Sequence, residues 1–168
     1  MRLRTLLVYL VLLGVAIVQS IAGHTVGARG VMPDAVLVLV VCWGLLRGSE
    51  EGMVWGLLGG LNLGLLSGAP FGAHAILLIL VGFLSGLGER SPFRSQLLVP
   101  LAWVCGATLL YAAGMAVLLR LSGWPVVITP AVTGAMVQAL VANALLMVAL
   151  YWVISHLVVP RAGLRSDF

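Results

Sequence analysis

Few side chains in this sequence could move a proton or attack a substrate, and those few are scattered. Glu50 and Glu51 stand together beside an apolar run, Ser67-Gly68 is followed by His74 with His156 far beyond, and Asp34 follows Pro33. The amides of Asn62, Gln138 and Asn143 lie inside apolar stretches. Paired carboxylates can act as general acid and base. A serine can be a nucleophile when geometry supplies a base and donors for an oxyanion. Three separated histidines do not promise that geometry. There is no HExxH, no CxxC and no phosphate-cradling loop. Cys42 and Cys105 sit within apolar runs, where a lone cysteine behaves as a small hydrophobe. The expectation is a protein without catalytic residues, metal or cofactor.

Two enzyme patterns come near and then depart. The glutamate pair is similar to that of intramembrane CAAX-type proteases, but the arginine that those enzymes carry four residues after the second glutamate is Trp55 here, and their later histidines are missing. A rhomboid-like GxSG would need glycine where Leu65 stands.

The elements that must position these residues are membrane helices. Of 168 residues, 62% are hydrophobic and only 8% charged, against roughly 25% charged in a soluble domain. Too few polar side chains remain to coat a water-soluble globule, so lipid is the expected solvent. Apolar spans run over residues 5–22, 35–46, 52–67, 73–87, 97–119 and 132–158, separated by charges, prolines and glycines. The expected fold is all-α, a polytopic transmembrane bundle of about six helices forming one integral membrane domain over residues 1–168. The first span, though preceded by Arg2 and Arg4 like a secretory signal, is longer than a usual signal core and reads as a retained helix. The spans at 35–46, 52–67 and 73–87 are short for a bilayer crossing, which takes roughly 20 residues. They thin the bilayer, extend into the loops, or pack as broken helices inside protein.

The net charge of +4 comes from nine arginines, with no lysine, against five carboxylates. Placing the N-terminus in the cytoplasm puts Arg2, Arg4, Arg47, Arg90, Arg94, Arg161 and Arg165 inside and only Arg29 and Arg120 outside. Both termini are therefore expected in the cytoplasm. Trp43, Trp55, Trp103 and Trp152 then lie toward the inner interface and Trp124 toward the outer one. Arginines spread among short loops are a topology signal, and nucleic acid is not an expected partner.

Within the spans, Gly52, Gly56, Gly60, Gly64 and Gly68 recur every four residues, and Gly82 and Gly86 make a shorter version on the next span. Such stripes let helices approach backbone to backbone where water gives no help. Two uses stand side by side: an internal contact between these two helices, or a groove for a partner. Gly88, at a loop edge, is expected to tolerate a large side chain. Intramembrane Asn62, Gln138 and Asn143 need partners and are expected to face the bundle interior, bonding helix to helix or lining a small cavity. Asp34 fits a helix cap, and the turn Gly68-Ala-Pro70-Phe-Gly72 precedes a lone His74 near an interface, structural or a titrating ligand.

Read in order, several motifs resemble the MreD family of small bacterial inner-membrane proteins. They are Pro33-Asp34 opening a helix, Trp43-Gly44 followed by Arg47 at its far end, the acid pair with Gly52, and the Leu-Ser-Gly-x-Pro-x-Gly-x-His turn that ends at His74. One departure is Gly64, where the family often carries an aspartate three residues before the Ser-Gly. The resemblance implies a non-catalytic subunit of the cell-elongation, or rod shape, machinery in the bacterial cytoplasmic membrane, supporting peptidoglycan synthesis. Its implied partners are the bitopic protein MreC and, in the wider complex, MreB, RodA and a class B penicillin-binding protein. Membrane lipid surrounds it, and a homodimer stays open. The family is also similar to the S components of energy-coupling-factor transporters. This alternative implies a small ligand held by Asn62, His74, Gln138 and Asn143.

Overall fold

In a computed structural model of the chain, the residues described are 13–15, 17–19, 33–70, 72–90, 98–125 and 129–158. All regular structure among them is helical. The helices are α1 (Ala35–Arg47), α2 (Ser49–Leu66), α3 (Ala73–Leu87), α4 (Leu98–Leu121) and α5 (Pro130–Val158), with one 3-10 turn at Gly88–Arg90. Residues 13–15 and 17–19 are also helical; the rest of the span expected over 5–22 lies outside the described residues, as do Arg2, Arg4, Arg29, Arg94, Arg161 and Arg165.

Two helix starts differ from the expectation for local reasons. α2 begins at Ser49 because the break before it is a single residue: Gly48 adopts φ 92°, open to glycine and strained for other residues. Glu50 and Glu51 then fall in the first turn of α2, where a carboxylate is favoured by the helix dipole. α5 begins at Pro130, a position whose missing N–H a helix does not use, and the Val132 N–H donates to Thr129 Oγ1 at 3.4 Å.

α1 is the centre. Val36, Leu37, Val38, Val40, Val41, Cys42 and Leu45 are completely buried, so most of the helix surface is covered, while the stripe of Ala35, Leu39 and Trp43 is half-buried. It packs against α2, α3, α4 and α5. Leu78 and Val81 of α3, Val104 of α4 and Met147 of α5 complete the core. By contrast α4 and α5, the two helices long and apolar enough to cross a membrane, are mostly uncovered over those lengths, Leu98–Leu121 and Val132–Val153.

The tightest pairing is the antiparallel hairpin of α2 and α3, and glycine sets it. A Cβ on Gly56 would overlap the Leu78 carbonyl, one on Gly60 the backbone of Ala75, one on Gly82 the Gly52 carbonyl, and one on Gly86 the backbone of Ser49. Gly52 faces Gly82 and also lies against α1, where its Cβ would stand 3.1 Å from the Gly44 Cα. Gly44 in turn packs on Ser85 and on the Gly82 carbonyl. Gly44, Gly52 and Gly82 thus form a vertex at which three backbones meet. Gly64 and Gly68 continue the same repeat, but a Cβ at either would meet nothing within 4 Å; Gly64 is nonetheless buried, while Gly68 is exposed in the turn before α3. Gly88 departs from its expected tolerance: a Cβ there would come within 2.7 Å of both Leu45 Cδ2 and Trp103 Nε1.

Gly56→Leu is expected to cost about 3 kcal/mol or more, because neither backbone can retreat, and to remove most of the monodisperse protein in detergent. Gly68→Leu, at an exposed position where a Cβ meets nothing within 4 Å, should leave yield and melting temperature close to wild type. Fluorescence-detected size exclusion with a thermal ramp reads both, and equal damage from the two variants would overturn this packing.

Candidate functional site

The polar side chains gather at the two ends of α1. At the Arg47 end, Trp43 Nε1 donates to Glu51 Oε2 at 2.8 Å, and Arg47 Nε approaches the same oxygen at 3.4 Å. The Trp43 ring meets Trp55 edge-on with centroids 5.5 Å apart, and the Arg47 guanidinium lies 6.0 Å from the centroid of Trp43. Arg47 and Glu51 are both substantially exposed, so this ion pair adds little by itself. It joins the end of α1 to the first turn of α2 across Gly48. Trp43, Arg47 and Glu51 therefore have a full structural employment.

The Asp34 end carries more. Asp34 Oδ1 accepts from the Leu37 N–H at 3.1 Å, the capping bond expected of it, and also from Gln19 Nε2 at 3.0 Å. Gln19 Oε1 accepts from the Val36 N–H at 3.1 Å, satisfying a second free donor of the first turn. The Asp34 N–H donates to Asn143 Oδ1 at 2.7 Å. Asn143 is buried to 1% exposure, and its Nδ2 donates at 3.0 Å to Thr108 Oγ1, whose hydroxyl donates to the Val104 carbonyl at 2.7 Å. One carboxylate, two amides and a hydroxyl thus tie the N-terminal helical segment, α1, α4 and α5 together.

A second chain of polar groups lies within electrostatic reach of Asp34. Ser67 Oγ is 2.8 Å from His74 Nε2, and His74 Nδ1 is hydrogen-bonded to the Tyr111 hydroxyl. The chain fastens the turn between α2 and α3, with Pro70 inside it, to α4. It brings a serine to a histidine, as a nucleophile would require. The group behind the imidazole, however, is a phenol. For Ser67 to give up its proton, Nδ1–H would have to donate to the Tyr111 oxygen, and a neutral phenol supplies none of the negative charge that stabilises an imidazolium in acyl-transfer triads. The other tautomer, with Tyr111 donating and Nε2–H donating to Ser67, satisfies all three groups as a structural link.

Residues that could line a ligand cavity are not joined to one another. Asn143 and His74 are engaged by the chain itself, in separate networks. Asn62 Nδ2 is buried without a hydrogen-bond partner. Gln138 lies on the exposed side of α5. No group of three or more potential metal ligands occurs among the described residues. The residues that sequence reasoning left out are Gln19, Thr108 and Tyr111, and Ser67 except as a failed nucleophile. Gln19, Thr108 and Tyr111 are ordinary polar residues on apolar helices with no motif around them, whereas Ser67 stands in the Ser-Gly-x-Pro-x-Gly-x-His turn.

The family model for MreD, rod shape-determining protein MreD, matches residues 1–160. The chain belongs to the MreD family. It is a membrane protein of a family that determines rod shape, a structural task with which a site made of closed hydrogen bonds agrees. No curated protein and no solved structure matches the chain. In this MreD-family chain, Pro33 and Asp34 set the start of α1, Trp43 and Arg47 its end, and the Ser-Gly-x-Pro-x-Gly-x-His turn carries the link from Ser67 to Tyr111.

Asp34→Asn keeps an oxygen for Leu37 and Gln19 and should cost under about 1 kcal/mol, whereas Asp34→Leu strands both donors and should cost about 2–3 kcal/mol. Equilibrium unfolding in detergent measures the difference, and equal stabilities would remove the network from the account. A double-mutant cycle of His74→Ala with Tyr111→Phe should show a coupling of about 1 kcal/mol; additive effects would mean that the two side chains are not joined.

Proposed function

We propose that this protein is a non-catalytic scaffold of the cell-elongation machinery, crossing the bacterial cytoplasmic membrane several times with both termini in the cytoplasm. In this reading it binds the single transmembrane helix of MreC and, through that complex, supports peptidoglycan synthesis by RodA and a class B penicillin-binding protein along MreB filaments. The observation that carries the reading is the contrast between the inside and the outside of the bundle. The networks of Gln19, Asp34, Asn143 and Thr108 and of Ser67, His74 and Tyr111 hold helix to helix, while α4 and α5 turn apolar faces outward. Such a chain meets other molecules through helix surfaces.

The glycine repeat is a poor candidate for the MreC groove over Gly52, Gly56 and Gly60, because α3 already fills it. The outward side of α4 is the better one: Ala102, Gly106, Leu109, Ala113 and Val117 are all exposed, and a Cβ on Gly106 would meet nothing within 4 Å. Small residues there admit a second backbone closely. The S-component reading is weaker, since it needs Asn62, His74, Gln138 and Asn143 to converge on one ligand.

Co-expression with MreC from the same organism and purification in mild detergent tests the proposal. The two proteins should elute together, and Gly106→Leu should reduce the recovered MreC at least about fivefold with the variant still monodisperse. Failure of the wild-type pair to associate, with a small molecule retained through purification, would replace the scaffold by a carrier.

A further inference from the structure

The three short spans meet the bilayer in different ways. α1 is enclosed by its neighbours and needs no crossing of its own. α2 and α3 are not enclosed: Val54, Leu57 and Leu65 of α2 and Ile76, Leu80 and Leu87 of α3 are all exposed. These are bulky apolar side chains with no polar group among them, a surface suited to acyl chains.

This hairpin cannot lengthen into its loops. α3 has 15 residues, set between Gly72 at φ 85° and the 3-10 turn that carries Glu89 and Arg90. α2 has 18, but its first turn holds Glu50 and Glu51, and Ser67 after it leaves helical geometry with ψ 152°. The apolar stretches Gly52–Leu66 and Ala73–Leu87 are therefore each about 22 Å long, against roughly 30 Å of hydrocarbon. Tilting would shorten their reach further. No side chain caps α3 at Gly72, so the start of α3 calls for water or headgroups and cannot rest among acyl chains. The glycine contacts of Gly56, Gly60, Gly82 and Gly86 hold the two backbones together, so the hairpin meets the bilayer as one short, rigid unit.

α4 supplies a scale on the same molecule. Over Leu98–Leu121 alone it has 24 residues, about 36 Å. Its register against α3 is fixed at two points: a Cβ on Gly114 would meet Leu77 Cδ2, and one on Gly88 would meet Trp103 Nε1. Beyond the first point α4 continues for seven residues to Leu121, and α3 for four to Ala73. Beyond the second α4 continues for five residues to Leu98, and α3 has already ended at Leu87. The hairpin thus falls short of α4 by about 5 Å at one end and about 8 Å at the other.

We infer that the outward face of the α2–α3 hairpin binds short acyl chains and thins the bilayer beside it to about 22 Å, while the α4 side keeps ordinary thickness. The inference rests on the reading of a chain that crosses the membrane several times and is independent of MreC. Compressing a thick bilayer carries a cost for every ångström, and lipids whose chains already match the hairpin avoid it. Short-chain phospholipid therefore collects along α2 and α3.

The test uses the full chain, reconstituted at a low protein-to-lipid ratio in mixtures of dimyristoleoyl and dioleoyl phosphatidylcholine, with Cys105→Ala to silence the partly exposed native thiol. A bimane label on Leu57→Cys reports the middle of α2 and one on Leu109→Cys the middle of α4, both exposed positions. With a brominated form of either lipid as quencher, the short-chain lipid should be enriched about threefold over the bulk beside position 57 and not beside position 109. Equal lipid composition at the two positions would overturn the inference and leave the multi-span reading standing. A label at position 57 that neither lipid nor aqueous iodide reaches would also overturn it, since protein would then cover the face. Quenching at position 57 by iodide and not by lipid would place the hairpin outside the bilayer, and the multi-span reading itself would fail.

Discussion

Three glycines, Gly44, Gly52 and Gly82, hold the backbones of α1, α2 and α3 at distances that no side chain permits. The rest of the bundle is built on that vertex. In an apolar solvent, helices gain nothing by hiding apolar surface from water, so association depends on how many atoms come into contact. Removing the side chains at the crossing lets the carbonyls and Cα atoms of three helices serve as the contact surface. With α2 and α3 drawn that close, α1 is left with valines and leucines completely enclosed, and α4 and α5 close the remaining sides against Val104 and Met147.

A bundle fixed by dispersion alone would be free to slide along its helix axes. The polar groups remove that freedom at both ends of α1. At one end Glu51 receives Trp43 and Arg47 across the Gly48 bend. At the other, Asp34 and Asn143 join segments 109 residues apart in sequence, and the chain from Ser67 to Tyr111 ties the α2–α3 turn to α4. Each bond exchanges a costly unpaired group for a specific register, so the same residues that look like site candidates in an apolar sequence serve to define one structure.

Much of this was legible in the sequence. Hydropathy marked the helices, and the four-residue repeat marked the face of α2 that packs, because both are periodic properties of a single segment. Asp34 and Asn143 were conspicuous as polar groups that needed partners. The partners themselves were not legible: Thr108 lies 35 residues from Asn143 and Tyr111 lies 37 residues from His74, and no local pattern encodes a contact between separate helices. The repeat also overstated itself. Gly64 and Gly68 share its spacing, yet a Cβ at either would meet nothing within 4 Å, so periodicity alone does not say where a neighbour's backbone lies. Likewise Gly88 stands at a loop edge in the sequence, while its environment is set by Leu45 and Trp103.

The enclosure of α1 bears on how the protein is made. At 13 residues the helix is about 20 Å long, well short of the roughly 30 Å of hydrocarbon that a free-standing segment must cross. On leaving the translocation machinery it has neither the length to remain stably in lipid alone nor a polar face to remain in water. Joined to α2 through one glycine, it owes its place to the helices that surround it, α2 to α5. For this segment, stability in an apolar solvent and tertiary packing are one and the same requirement.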